Sequence, residues 1–283
     1  MLLATLLSLA AAVLHAGWNL VAKRAAGDRY MVLWVQFFMA GVIALPIAVT
    51  NHALFGMPGT AYLWAALSGI VHLPYLWLLA KAYTIGDFSI SYPVARGGGA
   101  ALAAIGGVLF LADELNGWEV LGIATVVAGL SMLAVGTAGR QLAVALGVAL
   151  TIGTYSILDA AGSRTNSGSI AYIFATMVAS AAANTTFALS TGRRHDMVAM
   201  VRMRWRQALA AGSAATATYG MVTVAWQYAS VGYVTALRES SVILAALAGW
   251  KYLGEGDHRR RITAALVVFG GLLILVAGRY WSA

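Results

Sequence analysis

Cysteine is absent from this 283-residue chain. That excludes a disulfide framework, a thiolate metal site and a cysteine nucleophile. Charge is scarce as well: Asp, Glu, Lys and Arg make up 10% of the residues, against about 25% in an ordinary soluble domain. A chain with so little polar surface cannot cover itself in water, so a soluble enzyme or a soluble nucleic-acid binder is excluded. Disorder is excluded too, because its signature is low hydrophobicity. Proline occurs four times, as Pro46, Pro58, Pro74 and Pro93, all in the first half. No GxxxxGK[ST] phosphate loop is present, so no nucleotide-driven pump is encoded. Without an H-E-x-x-H pair, and with five scattered histidines, neither a metal site nor a cofactor is expected. No Ser-His-acid set can be placed from spacing.

What the chain has instead is apolar length. Apolar residues make up 61% of it, and the mean hydropathy is +0.80. A helix crossing a bilayer needs about 20 mostly apolar residues. Ten such runs are present: roughly 2–22, 31–50, 60–82, 89–111, 117–136, 141–161, 168–190, 207–229, 233–253 and 262–281. The expected fold is an all-α integral membrane protein of ten transmembrane helices joined by short loops. A β-barrel needs alternating strands, and runs such as Val120–Val135 do not alternate. The run Met1–Ala16 lacks the basic n-region of a signal peptide and continues to Ala22, so it is expected to be the first span.

The formal net charge of +8 is distributed by position. Fourteen of the 18 Lys and Arg fall in or beside odd-numbered loops: Lys23, Arg24, Arg29, Lys81, Arg140, Arg193, Arg194, Arg202, Arg204, Arg206, Lys251, Arg259, Arg260 and Arg261. The positive-inside rule places those loops in the cytoplasm and both termini outside. Arg193 to Gln207 interleaves arginines with Met197, Val198, Val201 and Trp205. That pattern fits a short helix on an anionic leaflet or a basic loop that only fixes topology. Nucleic acid is not needed to explain it.

The chain also resembles itself. Tyr83–Gly136 can be laid over Tyr228–Gly278. Ala80, Tyr83, Gly86, Arg96 and Leu111-Ala112-Asp113-Glu114 are echoed by Ala225, Tyr228, Gly232, Arg238 and Leu253-Gly254-Glu255. From the Arg to the closing Glu is 18 residues in one half and 17 in the other. Small residues follow each Arg at matching offsets: Gly99, Ala103, Gly107 and Ser241, Ala245, Gly249. Such runs let helices approach closely, and Gly97-Gly98-Gly99 fits the same use. Five spans per half is an odd number, so the second half starts on the opposite side, giving two units, 1–139 and 140–283, of inverted topology. Inverted repeats are a recurring plan of secondary transporters, with substrate held near the midplane.

Ionisable groups inside spans are costly and are functional candidates by default. Arg96 and Arg238 each lie about six residues into spans four and nine, roughly 9 Å deep at 1.5 Å per residue. Inversion would set one guanidinium near each mouth of a central cavity, where it can grip a carboxylate. The alternative is that each Arg holds carbonyls or a nearby acid. Glu239, about 100° around the helix from Arg238, need not pair with it and is a candidate for a substrate ammonium or a proton. Asp159 is expected to pair with Arg164 near the membrane surface. His15 and His72 are candidates for proton coupling or for structural bonds, and Asn19 for substrate or for helix–helix bonding. Pro74 and Pro93 are candidate gating kinks. Aromatic residues at Trp18, Tyr75, Tyr92, Tyr155 and Trp226 suit an aromatic or apolar amino acid better than a sugar or an inorganic ion.

The ordered motifs carry a family resemblance. They are Gly17-Trp18-Asn19 with Lys23, Ala80-x-x-Tyr83 leading to Pro93, Leu111-Ala112-Asp113-Glu114, and the Tyr252-Leu253-Gly254-Glu255 echo. Together they resemble the drug/metabolite transporter superfamily, EamA family, and within it bacterial amino-acid exporters of the YddG type. The resemblance implies a non-enzymatic, multi-pass carrier of small metabolites in a bacterial-type inner membrane, often working outward. It also implies cytoplasmic termini, against the charge reading. Ten spans suffice for a monomeric carrier whose partners are its small-molecule substrate and the membrane lipids. The competing readings are an integral-membrane lipid-linked transferase, which would gather acids or histidines at one face, and a passive channel, which would ring one pore with like charge.

Overall fold

The computed structural model of the protein describes residues 1–165, 170–225, 228, 234 and 237–281. Ten helices occur among the described residues, and no strand. They are α1 (Leu2–Arg24), α2 (Arg29–Phe55), α3 (Gly59–Ile85), α4 (Phe88–Leu111), α5 (Gly117–Ala134), α6 (Gly139–Thr165), α7 (Ile170–Ser190), α8 (Arg194–Ala225), α9 (Ser241–Leu253) and α10 (His258–Trp281). All but α9 are long and apolar enough to cross a membrane; α9 has 13 described helical residues. Large apolar side chains such as Leu63, Val120 and Leu150 face outward, as a bundle surrounded by lipid requires.

The apolar runs locate the helices, with two differences at the edges. Residues 194–207 do not form a separate surface helix; they are the first turns of a continuous 32-residue α8. From Arg194 to Ala211 no Gly or Pro interrupts the helix, and Asp196 in the first turn suits the positive helix N-terminus. The ninth run was expected to start at 233. Residues 229–233, 235 and 236 lie outside the described residues, and α9 itself begins at Ser241. Arg238 is helical, and Glu239 lies in the two-residue turn, 239–240, between it and α9.

Packing is reciprocal between the first five helices and the last five. α5 lies along α10 and α2 along α7; α3 packs on α6 and α7, and α8 packs on α1 and α2; α4 packs on α6 and α9. Small residues allow the closest of these approaches. A Cβ at Gly271 would lie 2.6 Å from the Val126 backbone nitrogen, so α5 and α10 meet backbone to backbone. Gly97, Gly98 and Gly99 give α4 the same freedom: added Cβ atoms would meet Val268 at 2.5 Å, Ala149 at 3.0 Å and Ile152 at 2.5 Å.

Hydrogen bonds sort the helix ends into two groups. At the basic end, Lys23 Nζ at the end of α1 donates to the Tyr83 and Gly86 carbonyls (3.0 and 2.5 Å). Arg24 there reaches the Tyr252 carbonyl at the end of α9 (3.0 Å). Arg193, just ahead of α8, pairs with Asp28, which caps α2. At the opposite end, Asn51 of α2 accepts from the Ala171 amide at the start of α7 (2.9 Å). Asn116 ahead of α5 donates to the Gly278 carbonyl near the end of α10 (2.9 Å), and it closes a capping box with Glu119.

Helices α4 and α9 end alike. Each runs into a left-handed residue, Ala112 (φ 56°) or Gly254 (φ 65°). The next amide then bonds back six residues, Asp113 to Gly107 (3.1 Å) and Glu255 to Gly249 (3.0 Å), which closes both helix ends in the same way. Asp113, not Glu114, is therefore the counterpart of Glu255. The spacing from Arg96 and from Arg238 becomes 17 residues in both halves. The two pairs of numbers differed only because Ala112 hides a turn that Gly254 advertises.

Candidate functional site

A chamber of about 480 Å³ lies inside the bundle. Both halves wall it: His15 and Trp18 from α1, Phe37 from α2, His72 and Tyr75 from α3, then Tyr155, Asp159 and Ser163 from α6, Tyr172 and Thr176 from α7, Tyr219 and Thr223 from α8, and Arg238. Six aromatic side chains, from Trp, Phe and Tyr, line it. Tyr155 stacks on His72 with centroids 4.5 Å apart and meets Tyr75 edge-on at 5.7 Å. Trp18 meets His15 at 5.2 Å and Phe37 at 6.0 Å. The buried Trp18 indole N–H has no hydrogen-bond partner among the described residues. Trp18 also borders a second, lateral cavity between α1, α2 and α8, so one indole separates the two spaces.

Towards the basic end the chamber is closed by rungs one helical turn apart on α1. His15 Nδ1 bonds the Tyr92 hydroxyl at 2.6 Å. Asn19 accepts from the Tyr83 hydroxyl at 2.7 Å and donates to the His15 carbonyl at 2.8 Å. Lys23 forms the third rung. Below them, Tyr83, Phe88 and Tyr92 are buried and in ring contact at 5.5 and 5.3 Å. Glu255, after α9, then caps α4: its carboxylate accepts from the Phe88 amide (2.6 Å), the Ser89 amide (2.8 Å) and the Ser89 hydroxyl (2.5 Å). Arg261 ties this cap to Asp87 (2.6 Å) and to the Ser89 hydroxyl (2.9 Å). Asp87, the N-cap residue of α4, makes no side-chain cap of its own. The chamber wall extends the other way, to Ser163 near the end of α6 and Tyr172 near the start of α7.

The two arginines do not guard opposite mouths. Arg96 pairs with Glu239 Oε1, and Arg238 Nη2 bonds the same oxygen at 3.2 Å. Arg238 thus reaches the carboxylate of its own sequence neighbour, at the start of the turn ahead of α9. Two guanidinium groups on one carboxylate leave a net positive cluster. Arg96 Nε, Arg238 Nε and Glu239 Oε2 are buried and lack partners among the described residues. Only Arg238 of the three lines the chamber. Because Glu239 is held by both arginines, it is not the free carboxylate that an ammonium site needs.

Other expected residues divide as follows. Trp18, Tyr75, Tyr155, His15 and His72 line the chamber; Tyr92 and Asn19 lie in the closing rungs instead. The ring of His72 bonds the Ser68 carbonyl (2.7 Å). Pro74 and Pro93 sit within α3 and α4, which continue through them. Trp226 lies outside the described residues. Asp159 does not pair with Arg164: it accepts from the Tyr172 hydroxyl (3.0 Å), and Arg164 goes to Asp113 (2.7 Å). Five residues of helix turn by 500°, so positions 159 and 164 point about 140° apart. Phe37 and Tyr172 were not expected as wall residues. The i, i+4, i+8 spacing of Tyr155, Asp159 and Ser163 was the signal available for α6.

Helical crossings, a lipid-facing exterior and an enclosed chamber define a multi-pass membrane protein. Residues 140–277 match the model of the EamA-like transporter family, which covers α6 to α9 and most of α10. This stretch is therefore similar to the family that the sequence motifs resemble. The fold is also that of a solved structure titled "Crystal structure of protein", with TM-score 0.61, 15% identity and 96% of each chain covered. No curated protein matches the chain.

Proposed function

We propose that the chain is a secondary carrier of small metabolites working by alternating access. The carried molecules are amino acids, with aromatic or apolar ones included, and the direction is outward. Two five-helix units, residues 1–139 and 140–283, run back to front and cross the membrane ten times, with α9 belonging to the ninth crossing. The observation that carries this reading is the chamber: it is walled by both units, aromatic in surface, served by one guanidinium, and closed at one end by bonds between units. A volume near 480 Å³ is within the range of small-molecule sites. Reciprocal helix pairing, the two sorted groups of helix ends and the matched closures at Asp113 and Glu255 support inversion. The basic end faces the cytoplasm of a bacterial-type inner membrane, with both termini outside.

The test is counterflow in proteoliposomes with a panel of labelled amino acids, with and without a pH gradient. Exchange of aromatic or apolar amino acids is expected; if none of the panel moves, the amino-acid assignment fails. A C-terminal tag reachable only from the cytoplasm would overturn the orientation.

A further inference from the structure

Asp159 is the acid that the arrangement above leaves without a task. It lines the chamber one helical turn beyond Tyr155. Its carboxylate accepts a hydrogen bond from the neutral Tyr172 hydroxyl, at 3.0 Å. No Lys or Arg among the described residues pairs with it, and its sequence neighbour Arg164 is committed to Asp113. An ionised carboxylate inside a membrane bundle is costly unless a cation meets it. The protein's own cations nearest the chamber are gathered elsewhere: Arg96 and Arg238 share Glu239.

We propose that Asp159 is the recognition site for a protonated amine on the carried molecule. The proposal rests on the carrier reading above and names the group that reading lacked once Glu239 was found committed. The Arg96–Glu239–Arg238 cluster carries one net positive charge and Asp159 one negative charge. Together they give the chamber poles of both signs around an aromatic wall, complementary to a molecule bearing both charges and an apolar body. A purely anionic molecule would leave Asp159 unmatched. The Tyr172 hydroxyl holds the carboxylate in place, with the Ser68 side chain beside it, and a charge-assisted bond from an amine is among the stronger ones available.

The test compares Asp159→Asn and Asp159→Glu with the unaltered protein, in detergent and in proteoliposomes. Probes are phenylalanine, 2-phenylethylamine (amine only) and 3-phenylpropionate (carboxylate only). The unaltered protein should bind both amines by thermal stabilisation. Asp159→Asn should bind them about tenfold or more weakly, the loss expected for one hydrogen bond to a charged group, and its 3-phenylpropionate binding should not weaken. Asp159→Glu should recover part of the amine binding. If phenylalanine is not exchanged but 2-phenylethylamine binds and Asp159→Asn abolishes that binding, the amino-acid reading falls and the amine site stands. If amine binding is the same in Asp159→Asn, or no amine binds the unaltered protein, the amine site is wrong. Normal counterflow at equal pH in Asp159→Asn, with only gradient-driven uptake lost, would also overturn it by showing a proton carrier instead.

Discussion

Glu255→Gln isolates the cap that closes the basic end. The carboxylate of Glu255 accepts two amides at the first turn of α4 and the Ser89 hydroxyl, and its side chain is only 6% exposed. A hydrogen bond to a charged group contributes about 1.5–3 kcal/mol. Glutamine keeps one acceptor oxygen and turns the other into an NH₂, which faces amide donors and cannot accept from them. At least one charged bond is lost, along with about 0.3–1 kcal/mol from a negative charge at a helix N-terminus. The closed arrangement should weaken by about 2–4 kcal/mol, roughly 25-fold or more in the closed-to-open ratio, at about 1.4 kcal/mol per tenfold. The absence of cysteine makes the assay clean. Ser91, buried one turn inside the cap, becomes the sole thiol in Ser91→Cys, and a membrane-impermeant maleimide is applied from the basic end. Labelling should be slow in Ser91→Cys alone and at least tenfold faster with Glu255→Gln added. Asp113→Asn, at the far end, should not accelerate it. Equal labelling rates with and without Glu255→Gln would refute the claim that this cap holds the bundle shut.

Arg96→Ala should destabilise the protein by about 3–5 kcal/mol, since it leaves the buried Glu239 with a single cation at 3.2 Å; denaturation in detergent should show a lower midpoint, and an unchanged midpoint would contradict the ion cluster. Ala112→Gly should stabilise by about 1 kcal/mol, because Ala112 holds φ 56°, a conformation costing an L-residue roughly 1–2 kcal/mol, and Gly254 already fills the matching place; the readout is a raised melting temperature. Gly271→Leu should separate α5 from α10 and abolish a monodisperse preparation, since even a Cβ would lie 2.6 Å from the Val126 nitrogen and 2.8 Å from the Gly122 oxygen. Gly270→Leu, where a Cβ meets nothing within 4 Å, should be tolerated, and size-exclusion profiles compare the two.

The helices were legible because hydropathy is a local property: each apolar run signals its own crossing whatever it packs against. The chamber was legible in part for the same reason. Trp18, Tyr75 and Tyr155 are aromatic residues at mid-span positions, and their placement needs no knowledge of partners. Charge partners were not legible. Glu239 meets Arg96 across 143 residues of sequence, and no spacing rule reaches that far. Asp159 shows the opposite failure. Its assignment to Arg164 rested on closeness in sequence, although helical rotation alone separates the two by about 140°, and the same rotation puts it in line with Tyr155 and Ser163.

The turn ahead of α9 accounts for the largest difference between sequence and structure. An uninterrupted helix through 238 and 239 would send the two side chains about 100° apart, and Arg238 would be free to serve a mouth of its own. Helix is present at Arg238 and again from Ser241, with a turn at 239–240 between; Arg238 meets Glu239 there, and Arg96 completes the cluster from the first half of the chain. The Ser240 amide returns to the Leu237 carbonyl at 3.1 Å, an i to i+3 bond typical of a turn. The matched Arg96 lies inside the unbroken α4. The two halves thus share a sequence pattern and a closing geometry at Asp113 and Glu255, yet differ where the charged cluster forms. That difference is what makes the chamber polar on one wall: a symmetric pair of guanidinium groups, each in its own helix, would leave Glu239 to be matched elsewhere and the chamber without a single positive pole.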